Sequence, residues 1–235
     1  MTSNFNSETL LCNRPITIIG KRKETFVMKL PILKDKLDNL DFITFEGFCS
    51  TSIEEINKKF GTKFKDRFHL FRYYQNSNDD IIKILDKYFE KYMIGFKYVD
   101  GSLYWGGRMV YKEIFEIFCD YCAIAMGTKS IKDLGLTITD DMDEVEKRRI
   151  LMERKIAKTK QKEQKNDGKD SELSLILAGV SREFGYSYSM LCEMTLYSIY
   201  YMYSLLGKIM SYEVGNVAAG NGLLKKNAKH NHWAL

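Results

Sequence analysis

A chain of 235 residues, 45% hydrophobic and 29% charged, holds enough apolar material for one domain or two small ones and falls outside the disordered and collagen-like classes. Its net charge of +5 is concentrated: Lys147 to Lys165 carries nine basic residues against two acidic ones, and the near-neutral remainder argues against a general nucleic-acid-binding surface. Five scattered cysteines, a polar opening Met-Thr-Ser-Asn-Phe-Asn-Ser-Glu and no run of eighteen apolar residues point to a reducing cytoplasm, with no membrane span.

Ile16–Ile19 and Thr25–Leu30, separated by Gly20-Lys21-Arg22-Lys23-Glu24, predict a β-hairpin, and Pro31 ends its second strand. Leu33, Leu37 and Leu40 have the spacing of an amphipathic helix. Thr51-Ser52 followed by Glu54 and Glu55 reads as an N-cap opening a helix over Ile53–Phe60, with Gly61 as its stop. Phe64, Phe68, Phe71 and Tyr74 trace one face of the next helix. Asn78-Asp79-Asp80 starts another, whose inward stripe is Ile81, Ile84, Leu85, Tyr88, Phe89 and Tyr92.

Asp100-Gly101, flanked by Phe96-Lys97-Tyr98-Val99 and Ser102-Leu103-Tyr104-Trp105, predicts a second, tight hairpin. Gly106-Gly107 breaks the pattern. Helix then resumes over Met109–Met126, with Ile114, Phe115, Phe118, Cys122 and Ala125 on one face. From Asp143 to Lys165 acids precede bases, as a helix dipole favours, and Asn166–Asp170 has linker composition. Leu173, Ile176, Leu177 and Val180 form a stripe ending at Gly185, and an aromatic helix is expected from about Ser189 to Tyr212. The expected fold is mainly α with two small β-hairpins (α+β). It divides into an N-terminal α+β portion (1–140), a basic helical connector and linker (141–170) and a helical C-terminal portion (171–235).

Motifs that would carry chemistry have structural explanations. Cys119-Asp-Tyr-Cys122 has zinc or redox spacing but no second ligand pair nearby, and it sits on an apolar helical face where cysteine behaves as a small hydrophobe. His69 lies inside a helical pattern, and His230 and His232 read as a surface pair. The glycines at 101–107 and 218–222 lack the order of a phosphate-binding loop, and no nucleophile elbow appears. Glu113, Glu116 and Asp120 share a helix face and have the geometry to hold a divalent cation, but a solvated acidic face is the commoner outcome of such spacing. No catalytic, cofactor or metal residue is therefore assigned. The basic run reads as a solvated connector.

Tyr186, Tyr188, Tyr197, Tyr200, Tyr201 and Tyr203 fall within eighteen residues, and Met190, Met194, Met202 and Met210 share the section. Tyrosine combines a large apolar ring with a polar tip, which suits a surface that alternates between wet and buried. Core packing accounts for one side of such a helix, and a partner for the rest.

Met194-Thr195-Leu196-Tyr197-Ser198-Ile199-Tyr200-Tyr201, Ala218-Ala219-Gly220-Asn221 and the closing His232-Trp233 resemble the C-terminal section of tail assembly chaperones of large tailed bacteriophages. The layout of Tyr111–Met126 followed by a charged connector is also similar. The resemblance implies a non-enzymatic protein of the host cytoplasm. It would coat the long helical tape-measure protein before the tail tube polymerises, with tail-tube or baseplate proteins as further partners and homo-oligomerisation left open. Partner contact is then expected at Met194, Tyr197, Tyr200, Tyr201 and Trp233. The alternative is a structural baseplate or tail subunit that remains in the virion.

Overall fold

The computed structural model describes residues 2–3, 5–77, 80–129 and 172–220. The expected basic connector and linker, His230, His232 and Trp233 lie outside the described residues.

The chain is mainly helical with two small antiparallel sheets, as the sequence patterns require. The first sheet has the order β1 (Thr2–Ser3), β2 (Ile16–Ile19), β3 (Thr25–Met28). Ile19 pairs with Thr25 across the five-residue loop, and the buried positions Ile16, Ile18, Phe26 and Met28 set the register because a one-residue slip would turn them outward. Between β1 and β2, α1 (Ser7–Leu11) is closed by a reciprocal cap: Asn6 Oδ1 accepts the Thr9 N–H at 2.8 Å and Thr9 Oγ1 accepts the Asn6 N–H at 3.0 Å.

The helices α2 (Leu33–Asp38), α3 (Phe42–Ser50), α4 (Ile53–Phe60), α5 (Arg67–Ser77) and α6 (Asp80–Tyr92) follow. The Ser52 hydroxyl accepts the Glu55 N–H, and Gly61, at φ 66°, closes α4 in the left-handed region. The stripe expected of Leu33, Leu37 and Leu40 does not form. Leu33 is fully buried, but α2 ends at Asp38, leaving Leu37 at its rim and Leu40 86% exposed in the following turn.

The second hairpin becomes a sheet of β4 (Lys97–Val99), β5 (Ser102–Trp105) and β6 (Arg108–Met109). Val99 pairs with Ser102 across Asp100 and Gly101, whose φ values of 48° and 71° are those of a primed turn. Gly106 and Gly107, at 60° and 75°, do the same between Trp105 and Arg108. The Gly-Gly pair therefore turns a third strand instead of ending the sheet. Met109 belongs to that strand, and α7 begins at Lys112 and runs to Ala125.

The two sheets meet through Trp105, whose indole N–H donates to the Val27 carbonyl at 2.9 Å while its ring packs on Phe26. Phe89 is the hub of the core. The rings of Phe45, Phe48, Phe71, Phe96, Phe115 and Phe118 lie between 5.4 and 6.4 Å from it, most of them edge-on, as the aromatic quadrupole prefers.

The C-terminal section comprises α8 (Glu172–Phe184), α9 (Tyr188–Cys192) and α10 (Leu196–Gly220). Ile176, Leu177 and Val180 of α8 pack with Leu191, Leu196 and Ile199 in a second apolar cluster, and Leu33 from α2 completes it.

Candidate partner-binding surface

The aromatic stretch expected as one helix is two. Glu193, Met194 and Thr195 interrupt it, and Thr195 supplies the cap of α10 by accepting the Ser198 N–H on Oγ1 at 3.1 Å. The same hydroxyls tie this end of the chain to its beginning. Thr195 Oγ1 and Ser198 Oγ, both buried, lie 3.3 and 3.0 Å from the Leu10 carbonyl at the end of α1. The Leu33 N–H donates to the Met194 carbonyl at 2.8 Å, and the Asn13 side chain donates to the Glu193 carbonyl. The interruption is thus a docking joint, which fixes how α10 leaves the body.

That joint distributes the expected partner residues unevenly. Met194 is half-buried against the second cluster, and Tyr197 packs partly into the main core. Tyr200 is exposed on one side, while its ring covers Gly127 at the end of α7: a Cβ there would lie 2.7 Å from Tyr200 Cδ2. Tyr201 is 46% exposed and stacks on Tyr197 with centroids 6.4 Å apart. Tyr188 and Met190 of α9 are also exposed. The sequence pattern named Met210 but not Val214 and Val217, and all three stand open on the outer stretch of α10.

The acidic helix face of α7 is paired with cations and helix-start N–H groups and is not simply solvated. Glu116 Oε1 accepts the backbone N–H groups of Arg67 and Phe68 at 2.7 and 3.2 Å, and Oε2 takes the Arg67 guanidinium at 2.8 Å. This carboxylate caps α5 from another helix, where the positive end of the helix dipole favours it. Asp120 pairs with Arg67 and Lys129, and Glu113 with Lys21 at the surface. Among the described residues no group of three His, Cys, Asp or Glu side chains has the geometry to hold a metal ion.

Cys119 and Cys122 lie fully buried beside Cys49 of α3, and burial pushes all three thiols up from their ordinary values. Thiols held protonated in a dry core are poor nucleophiles and poor ligands. His69 is exposed on α5, its ring edge-on to Phe64.

Among the described residues no helix is long and apolar enough to cross a membrane. No protein-family model, curated protein or solved structure matches this chain.

Proposed function

We propose that this chain is a non-catalytic binding protein that holds a helical client against the ring-bearing surface of α9 and the first turns of α10. In the setting its sequence resembles, it is a tail assembly chaperone and the client is the tape-measure protein. The observation that carries the reading is the combination at Tyr201, Tyr188 and Met190: half-open or open rings and thioether on the short α9 and the first turns of α10, both capped and pinned to the body on their other sides. Such side chains present apolar area without first having to be ordered, and they accommodate the irregular apolar faces of a long amphipathic helix. Among the described residues, Glu116 is engaged in capping α5, and Cys49, Cys119 and Cys122 are sealed in the core.

The test is a pull-down of the full chain from cells expressing its neighbouring genes, with mass spectrometry of the recovered proteins and of purified particles. The expected result is a very long helical protein, lost about tenfold or more in Tyr201→Ala and Tyr188→Ala at unchanged melting temperature, and no trace of this chain in finished particles. Recovery of baseplate proteins alone, with this chain present in the particle, overturns the chaperone reading in favour of a virion subunit.

A further inference from the structure

Three of the five cysteines meet in the main core, although they come from two helices. The contacts on either side fix the meeting. Phe48 of α3 sets its ring 6.2 Å from that of Phe115 of α7, and the Ser50 hydroxyl lies 2.7 Å from that of Thr128, just past the end of α7. Cys49 is thereby held over the stretch of α7 that carries Cys119 and Cys122, and its thiol interacts with both. All three are fully buried. Cysteine in a core behaves as a small hydrophobe, which would explain any one of them alone.

Arg67 is the observation that packing does not explain. Its side chain is buried, and Nη1 is held 2.8 Å from Glu116 and 3.4 Å from Asp120, the two carboxylates that flank Cys119 along α7. Nε is sealed from solvent and has no hydrogen-bond partner among the described residues. A buried N–H without an acceptor is costly, and redox chemistry close by is one reason a native core retains it. Besides those carboxylates, the groups that feel the guanidinium charge are the sulfurs of Cys119 and Cys49. Burial raises the Cys119 thiol, and the Arg67 charge opposes that rise. A guanidinium beside a thiol favours the thiolate and the sulfur anions formed from it.

We propose that Cys49 and Cys119 are a dithiol–disulfide couple that a hydroperoxide closes, cross-linking α3 to α7, with Arg67 positioning the Cys119 sulfur. With hydrogen peroxide, the Cys119 sulfur attacks one oxygen and the O–O bond breaks. The sulfur becomes a sulfenic acid, and the thiol proton leaves with the other oxygen as water. The Cys49 sulfur then attacks the sulfenic sulfur. The S–O bond breaks, and the hydroxyl takes the Cys49 proton and leaves as a second water. Two thiols have lost two electrons, and one peroxide has gained them. Burial makes the reaction slow, so the couple is a latch closed by sustained oxidation and not a consumer of peroxide. The bond closes a loop of about seventy residues, which strongly constrains the unfolded chain. This inference does not rest on the client reading, whose residues lie on α9 and α10.

The test is hydrogen peroxide on the full native chain with Cys12 and Cys192 replaced by serine, followed by peptide mapping without reduction and by thermal melting. The expected result is one intramolecular disulfide, Cys49–Cys119, with a melting temperature raised about 5–10 °C and restored by dithiothreitol. In Cys49→Ser, dimedone added with denaturant should trap the sulfenic acid on Cys119. Arg67→Lys keeps a charge for Glu116 and Asp120 but has no Nε–H, and it should slow the cross-link about tenfold. A merely structural role would loosen the core in that variant and speed the reaction, which would remove Arg67 from the mechanism. Core thiols that stay free, or that pass to sulfinic acid unpaired, would overturn the proposal. So would a cross-link through Cys122 that forms equally well in Cys119→Ser.

Discussion

Glu116 is bonded to Arg67 twice, once at the backbone N–H at 2.7 Å and once at the guanidinium at 2.8 Å. One carboxylate thereby starts α5 and neutralises a cation that is itself buried. Removing it leaves two helix-start N–H groups without their acceptor and a buried guanidinium with only its longer contact to Asp120, at 3.4 Å, among the described residues. Glu116→Ala is expected to cost about 3–5 kcal/mol. Glu116→Gln, which keeps a carbonyl for the N–H groups, should cost less. Denaturant midpoints measure both. Equal losses would mean that the charge, not the cap, is what matters.

The three core thiols should be silent. In the native chain a maleimide is expected to modify Cys12 quickly and Cys192 more slowly, while Cys49, Cys119 and Cys122 react only after unfolding. Because burial holds their thiols above the ordinary value, raising the pH from 7 to 9 should not speed them. Peptide mapping reads this directly, and fast native labelling of Cys119 would contradict the closed core.

Alkali should unfold the chain through its tyrosines. Burial, with the neighbouring Asp41 and Asp35 charges, pushes the Tyr88 phenol up to about 12, and burial with Asp35 raises Tyr92 as well. Burial, with the hydrogen bond that the phenol donates to Asp86, raises Tyr98. Each phenol keeps its proton in the folded state at a pH where the unfolded chain has lost it. Their contribution is therefore complete below about pH 10 and declines above it, at up to about 1.4 kcal/mol per pH unit for each such group. Urea midpoints at pH 8, 10 and 11 should fall, and Tyr92→Phe should flatten the fall above pH 10. An identical slope in that variant would place the alkaline transition elsewhere.

Gly127 has φ +70°, and Tyr200 occupies the place of its missing side chain. Gly127→Ala is expected to cost about 1–3 kcal/mol, from left-handed strain and from displacing the ring. Combining it with Tyr200→Ala should recover the steric share alone. A melting temperature unchanged in the single variant would show that α10 docks less tightly on α7 than the geometry indicates.

Local signals were the legible part of this fold. Asp100-Gly101, Ser52 before its two glutamates and Gly61 each act within a few residues, and each does in the structure what its chemistry demands. Phe42, Phe45, Phe48 and Cys49 also carry a helical spacing, but Gly47 and the β-branched Ile43 and Thr44 among them hide it. What faced Glu116 was not readable, since Arg67 stands forty-nine positions away. The break before Leu196 had a signal in Thr195 and Ser198, a capping pair concealed by the surrounding rings. The openness of Tyr201, and the shelter of Tyr197 beside it, depend on a joint made with Leu10 and Leu33, which no pattern within the helix contains.

The hydroxyls of Thr195 and Ser198 reach a carbonyl 185 and 188 residues earlier. A ribosome releases the first helix long before it releases the residues that finish it. Until then the Leu10 carbonyl has only the local Asn13 N–H and water to answer it, and Leu33 has no neighbours from the second cluster. The molecule therefore closes late and from its two ends at once, which makes the emerging chain, rather than the finished one, the form most in need of protection.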